Sequence, residues 1–172
     1  MLAPRAKLWP AAPSLVDEAL DLLGVSSGDV VGDFGSGDGV ALFAAAALGA
    51  RAIGWEIVAD RAEASRVEAD ARGISDRVQV ITGNALDADA SIVNGLSKVY
   101  LFLIQRGLRL VAPLLLQAAS KRPNGVLHVV TVLYKFDADV KGVRLVETRR
   151  ATDTARTPLF LYAVENETAT GA

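Results

Sequence analysis

The sequence predicts an α/β protein: a seven-stranded, mostly parallel sheet with a C-terminal antiparallel hairpin and helices on both faces. Three observations predict it. Apolar, strand-like runs alternate with helix-like segments through most of the chain, the order that right-handed crossovers turn into a parallel sheet covered on both sides. A glycine-rich turn follows the first such run directly, where sheets of this class hold ligands. The last two runs, Val143 to Arg149 and Leu159 to Val164, leave no room for a helix between them and so form a hairpin at the sheet edge.

Each element has its own signal. Ser14 is placed to cap a first helix, with Leu15, Val16, Ala19, Leu20, Leu22 and Leu23 at helical spacing and Gly24 as its stop. A strand over Val30 to Phe34 is followed by a helix from about Val40 to Leu48, and a second strand covers Ala52 to Glu56. The Ala-, Glu- and Arg-rich stretch Ala59 to Ala71 is a helix ended by Gly73. Strands three and four are Val78 to Thr82 and Lys98 to Leu103. Within Gln105 to Ser120, Pro113 lacks the amide a helix interior needs and marks the start of a second helical piece. Val126 to Tyr134 is a continuous apolar run, as expected of a strand buried on both faces.

Composition bounds the function classes. The 172 residues, 51% hydrophobic and 22% charged, suit one globular domain over 1–172, with a small, polar tail at 167–172. A formal net charge of −2 gives no general attraction to nucleic acid or acidic membranes. The absence of cysteine excludes disulfides, thiolate metal ligands and a cysteine nucleophile, and agrees with a reducing, cytoplasmic setting. The most apolar runs, Val40 to Ala50 and Leu108 to Ala119, fall short of the about 20 residues a membrane span requires. No metal set is visible, and a monomer or weak oligomer is expected.

The chemistry concentrates in Val30-Val31-Gly32-Asp33-Phe34-Gly35-Ser36-Gly37-Asp38-Gly39. Closely spaced glycines let the backbone turn sharply and approach a ligand. The dinucleotide fingerprint G-x-G-x-x-G, begun at Gly35, requires glycine or alanine at position 40, where this chain has Val40. Asp33 and Asp38 would also repel a pyrophosphate, whereas they attract the ammonium and sulfonium of S-adenosylmethionine. Asp38 fits equally well as an acid favoured by the helix dipole. Glu56 follows Gly35 by 21 residues and ends strand two, the placement of an acid that accepts hydrogen bonds from ribose hydroxyls. At the end of strand three, Asn84 and the amide of Ala85 are placed to read an adenine edge, although Gly83-Asn84 is also an ordinary turn pair.

These motifs, in this order, resemble those of class I S-adenosylmethionine-dependent methyltransferases, and the resemblance covers most of the chain. Asp33-Phe34-Gly35-Ser36-Gly37-Asp38-Gly39 looks like the first motif, Gly54-Trp55-Glu56 the second and Gly83-Asn84-Ala85 the third. The nearest likeness is to archaeal broad-specificity protein lysine methyltransferases and the related mitochondrial enzymes that modify ATP synthase subunit c and the adenine nucleotide translocase. Trp9-Pro10-Ala11-Ala12-Pro13-Ser14 is similar to their N-terminal segment, which implies that residues 1–13 lie over the cofactor pocket. The resemblance implies a cofactor set of Trp9, Pro10, Asp33, Gly35, Ser36, Gly37, Asp38, Glu56, Ile57, Asn84, Ala85 and Phe102. Relatives carry arginine where this chain has Val40, and polar or charged residues where it has Gln105, Arg106, Leu108 and Leu114.

The acceptor end is less distinctive. Amino-base methyltransferases place Asn or Asp with prolines and an aromatic after strand four; this chain has Leu101-Phe102-Leu103-Ile104, an apolar lip that suits a lysine stem or is simply buried strand. Phe102 is the expected pocket wall. Tyr134, at the end of strand five, is placed to orient an amine, and packing explains it equally. His128 lies mid-strand and is expected to be a hydrogen-bonded structural residue. The expected partner is a protein with an accessible lysine. A small-molecule or RNA methyltransferase is the alternative, with Arg149, Arg150 and Arg156 as a potential basic patch, as is a non-catalytic S-adenosylmethionine-binding protein.

Overall fold

The computed structural model describes residues 11–165. Seven strands, β1 (Val30–Phe34), β2 (Arg51–Glu56), β3 (Val78–Thr82), β4 (Lys98–Leu101), β5 (Val126–Val132), β6 (Val143–Arg150) and β7 (Pro158–Glu165), form one sheet in the order β3-β2-β1-β4-β5-β7-β6. The first five strands in that order are parallel, and β7 runs antiparallel to both β5 and β6. The expected architecture is therefore present. The chain order reverses between β1 and β4, and in open sheets of this kind ligands bind at the carboxyl ends of such a pair.

Helices α1 (Pro13–Leu23), α2 (Val40–Ala47), α3 (Ala59–Ala71), α4 (Ala90–Asn94) and α5 (Gln105–Ser120) cover the two faces. On one face, Leu15, Val16 and Leu20 of α1 and Leu42 and Phe43 of α2 pack with Val31, Tyr100 and Val130. On the other, Leu108, Val111 and Leu115 of α5 pack with Phe34, Trp55, Leu101 and Val129. Successive strand residues alternate between these cores. Burying each such leucine or phenylalanine contributes about 1.5–3 kcal/mol.

Several local expectations change. The first helix starts at Pro13, with Ala12 as its cap and no side-chain capping bond, so Ser14 sits inside the first turn. Proline's fixed φ and missing amide suit that first position. Helix α5 runs unbroken through Pro113, which lies on the exposed side while Leu108, Val111, Ala112 and Leu115 hold the opposite face in the core. Strands β4 and β5 end at Leu101 and Val132, so Phe102 and Tyr134 lie in the loops beyond them. His128 is on β5 as expected but exposed, with no hydrogen bond to its side chain among the described residues. Trp9, Pro10 and nearly all of the 1–13 segment, and the 167–172 tail, lie outside the described residues. Among the described residues no helix is long and apolar enough to cross a membrane, and no group of His, Cys, Asp or Glu is arranged to hold a metal ion.

Gly54, opposite Asp33 in the sheet, shows how tightly the site is packed. A Cβ there would stand 2.6 Å from Leu42 Cδ1 and 2.6 Å from Ser36 Oγ. Gly54→Ala should therefore destabilise the fold by about 1–3 kcal/mol, read as a lowered urea midpoint at unchanged m-value.

Candidate functional site

The loop from Gly35 to Gly39 is fixed by the tip of β2. Its Gly35 and Ser36 amides both donate to the Trp55 carbonyl, at 2.8 and 3.0 Å, and the Gly39 amide closes a turn onto the Ser36 carbonyl at 2.9 Å. Gly35, Gly37 and Gly39 have φ of 104°, 57° and 78°, values that L side chains rarely adopt. Space is short as well, since a Cβ on Gly37 would meet the Arg61 guanidinium at 2.7 Å and one on Gly39 the Phe43 ring at 2.6 Å.

Glu56 is the centre of this arrangement. Its carboxylate accepts from the Gly37 amide at 2.8 Å through one oxygen and from the Val58 amide at 2.8 Å through the other, while the side chain is buried. Ile57 beside it is 69% exposed, which leaves an apolar surface free at the same strand tip. The Gly83 amide donates to the Glu56 carbonyl at 2.9 Å and brings the end of β3 alongside. There Asn84 caps a short 3-10 turn, its Oδ1 accepting from the Leu86 amide at 3.2 Å, and Ala85 is buried. The side chain of Asn84 thus has the structural task that its turn pair suggested.

Asp38 is exposed and forms an ion pair with Arg61 of α3 at 2.9 Å. An exposed pair of this kind contributes little stability, about 0–1 kcal/mol, and acts mainly to orient the loop. Ser65, also on α3, donates to the Gly37 carbonyl at 3.1 Å. Sequence reasoning passed over Arg61 and Ser65; the available signal was Ser65 standing among Ala62 and Ala69 at the inward spacing of an otherwise charged helix.

Asp33 lies at the carboxyl end of β1, 5% exposed, facing the side covered by α1 and α2. Burial, reinforced by the Glu56 carboxylate, pushes its pKa up to about 8. Tyr100 is its partner across the β1–β4 ladder, and burial together with Asp33 raises that hydroxyl above the ordinary tyrosine range. Phe102 is half-buried against the α1–α2 core, and Leu103 Cδ2 lies 3.4 Å from where a Gly35 Cβ would stand. Beyond β5, Leu133 has a φ of 70°, and its amide donates a hydrogen bond to the Pro158 carbonyl at 2.9 Å. Tyr134 follows, 39% exposed, with its carbonyl accepting from the Thr131 hydroxyl at 2.6 Å. The loop, Glu56, Ile57, Asn84 and Phe102 thus gather at the carboxyl ends of β1 to β4, with Tyr134 at the adjoining end of β5.

No described protein family matches the sequence, and no curated protein does either. Solved structures match across nearly the whole chain. An RNA methyltransferase from Salinibacter ruber, crystallised with S-adenosyl-L-homocysteine, is 26% identical over 92% of this chain and 95% of its own, with a TM-score of 0.78. The fold is that of the Rossmann-like class I methyltransferases. A geranyl diphosphate methyltransferase in complex with SAM (14% identity, 89% of this chain, 85% of that one, TM-score 0.64) shares this methyltransferase fold. So does a SAM-dependent methyltransferase from Aquifex aeolicus (12% identity, 87% and 89%, TM-score 0.65).

The buried acid of this methyltransferase fold makes stability depend on pH. Asp33 has a folded pKa of about 8 against 3.8 for the free group. Its contribution is therefore complete below pH 4 and is lost as pH rises through 8. Between pH 5.5 and 8.5 the ligand-free protein should lose about 2–5 kcal/mol from this group, and Asp33→Asn should flatten that slope in urea denaturation series.

Proposed function

We propose that the protein is an S-adenosylmethionine-dependent methyltransferase acting as a single domain, with a protein lysine side chain as its preferred acceptor. The observation that carries the cofactor reading is the Glu56 carboxylate at the tip of β2, one residue from the exposed Ile57 and bonded to the glycine loop that follows β1. The residues fit the group. Glu56 supplies the acceptor oxygens that ribose hydroxyls need, Ile57 an apolar surface for adenine, and Asn84 and Ala85 contacts at its polar edge. Asp33, Ser36, Gly37 and Asp38 take the methionyl end; among the described residues Ser36 Oγ and the Tyr100 hydroxyl are buried without a hydrogen-bond partner, as polar atoms awaiting a ligand are. The Salinibacter ruber structure, similar over nearly the whole chain and crystallised with S-adenosyl-L-homocysteine, supports the same reading.

When bound, S-adenosylmethionine supplies a methyl group already activated by its sulfonium. What remains for the protein is positioning and exclusion of water. The glycine loop and Glu56 hold one reactant in place. Phe102 and Ile104, both half-buried, line the acceptor side with apolar surface that suits the methylene stem of lysine. A lysine amine with a free pKa of about 10.4 must lose a proton at a cost of roughly 4–5 kcal/mol at pH 7, which an apolar, desolvated entry reduces. Tyr134 stands at the adjoining rim, where its hydroxyl is available to orient the amine.

A second reading, RNA as acceptor, is favoured by the Salinibacter ruber enzyme and by the hairpin. There Arg150 donates to the Arg156 carbonyl at 3.2 Å, drawing two arginines together at the turn, whereas Arg149 is tied to Asp21 and Glu147.

Glu56→Ala should weaken S-adenosylmethionine binding about 10- to 100-fold by calorimetry, through loss of both ligand and loop contacts. Gly37→Val should have a similar effect because of its backbone conformation. Unaltered binding in both variants would overturn the cofactor reading. Incubation with methyl-labelled S-adenosylmethionine and cell extract, followed by mass spectrometry, should place label on protein lysine. Label confined to RNA, with Arg150→Glu and Arg156→Glu abolishing it, would replace lysine by the second reading.

A further inference from the structure

The chain leaves β5 through a turn that keeps two large apolar side chains in water. Thr131 of β5 is the ladder partner of Leu101 of β4, so residues 102–104 and 132–134 leave the sheet side by side. Leu133 has a φ of 70°, a backbone conformation that side chains with a Cβ disfavour, and it is 44% exposed, with Tyr134 39% exposed beside it. Continued as strand, Leu133 would point to the same side as Val129, into the core that α5 covers. The left-handed turn gives that core to Phe136 instead, which is buried with its ring perpendicular to Tyr162, centroids 5.1 Å apart.

The backbone of this turn is fixed from both sides. The Leu133 amide donates to the Pro158 carbonyl at 2.9 Å, and the Tyr134 amide to the Val132 carbonyl at 2.8 Å. The fully buried Thr131 donates its hydroxyl to the Tyr134 carbonyl at 2.6 Å, and the Phe136 amide donates to the Tyr162 hydroxyl at 3.2 Å. Buried polar groups and a buried aromatic ring thus secure a strained residue whose own side chain is out in solvent. Strain of this kind persists only where the surrounding structure over-determines it, and it gathers at positions that clamp ligands.

We propose that Leu133 is a specificity-determining contact for the acceptor, laid with Tyr134 along the methylene stem of a substrate lysine, and that Thr131 is a positioning residue acting through the Tyr134 carbonyl. This rests on the methyltransferase reading above. The four-carbon stem of lysine is matched by apolar surface, and the half-buried Phe102 and Ile104 stand at the adjoining strand end. An amine must be neutral to attack a methyl group, and a carboxylate beside it would hold its proton on. Leu133 and Tyr134 bring no carboxylate. The acids that follow in the chain, Asp137 and Asp139, are both paired with Arg109, at 2.6 and 3.1 Å.

The test is steady-state methylation of poly-L-lysine by the whole chain with methyl-labelled S-adenosylmethionine. Glycine and asparagine both tolerate a left-handed backbone, so Leu133→Gly and Leu133→Asn should fold with urea midpoints no lower than the parent's. Their KM for poly-L-lysine should rise about 10-fold, as loss of apolar contact worth about two methylenes implies, while kcat and the calorimetric affinity for S-adenosylmethionine stay parental. Thr131→Val should raise the same KM, and Thr131→Ser, which keeps the hydroxyl, should restore it. A parental KM in both Leu133 variants would overturn the Leu133 contact, and a parental KM in Thr131→Val the positioning role, each with the methyltransferase reading left standing. A parent that binds S-adenosylmethionine but puts no label on poly-L-lysine, including one that labels RNA instead, would overturn the proposal together with the lysine acceptor and leave only the cofactor reading. Failure of the parent to bind S-adenosylmethionine would overturn all three.

Discussion

The two hydrogen bonds of Glu56 tie the site together. One carboxylate, buried at the end of β2, holds the Gly37 amide of the preceding loop and the Val58 amide of the following one. Without it the left-handed glycine turn would keep its own Gly39–Ser36 bond and its contacts with the Trp55 carbonyl, the start of α2 and α3, but would lose the tie between the Gly37 amide and the end of β2. A negative group must therefore be buried where the sheet ends, and the amides that face it offset the cost of its lost hydration. The same acid also bears on Asp33 in the next strand, where its charge and the burial together favour the protonated carboxyl.

Sheet topology explains why these groups meet. Because the chain goes from β1 outward to β2 and β3 and returns to β4 on the other side, the carboxyl ends of β1 and β4 have no crossover helix between them. Asp33 and Tyr100 become neighbours although 67 residues separate them in the chain. The core on either side is apolar, and among the described residues neither the Ser36 nor the Tyr100 hydroxyl has a hydrogen-bond partner.

The acceptor side is built differently. Phe102 and Tyr134 lie just beyond β4 and β5, in backbone that the sheet no longer regulates. Leu133 is held at positive φ by the start of β7, so the antiparallel hairpin sets the direction in which Tyr134 leaves the sheet.

The parallel core, the hairpin and the loop with Glu56 were legible in the sequence because periodicity, glycines and strand-end acids are local signals. The turn pair Gly83-Asn84 announces the local bond that Asn84 makes, whereas the anchoring by Arg61 and Ser65 depends on which face of α3 meets the loop, which no local pattern shows. Pro113 predicts a break in the helix, but packing of the opposite face of α5 outweighs its lost hydrogen bond. By itself the sequence determined the order of elements and the chemistry at the strand tips, since these follow from residue type and spacing. Only the tertiary structure decided that Asp33 shares a buried level with Tyr100 and Ser36, that Asp38 pairs with Arg61, and that His128 faces outward. Such contacts join residues from separate elements, and strand register and helix rotation, which no local pattern specifies, bring them together.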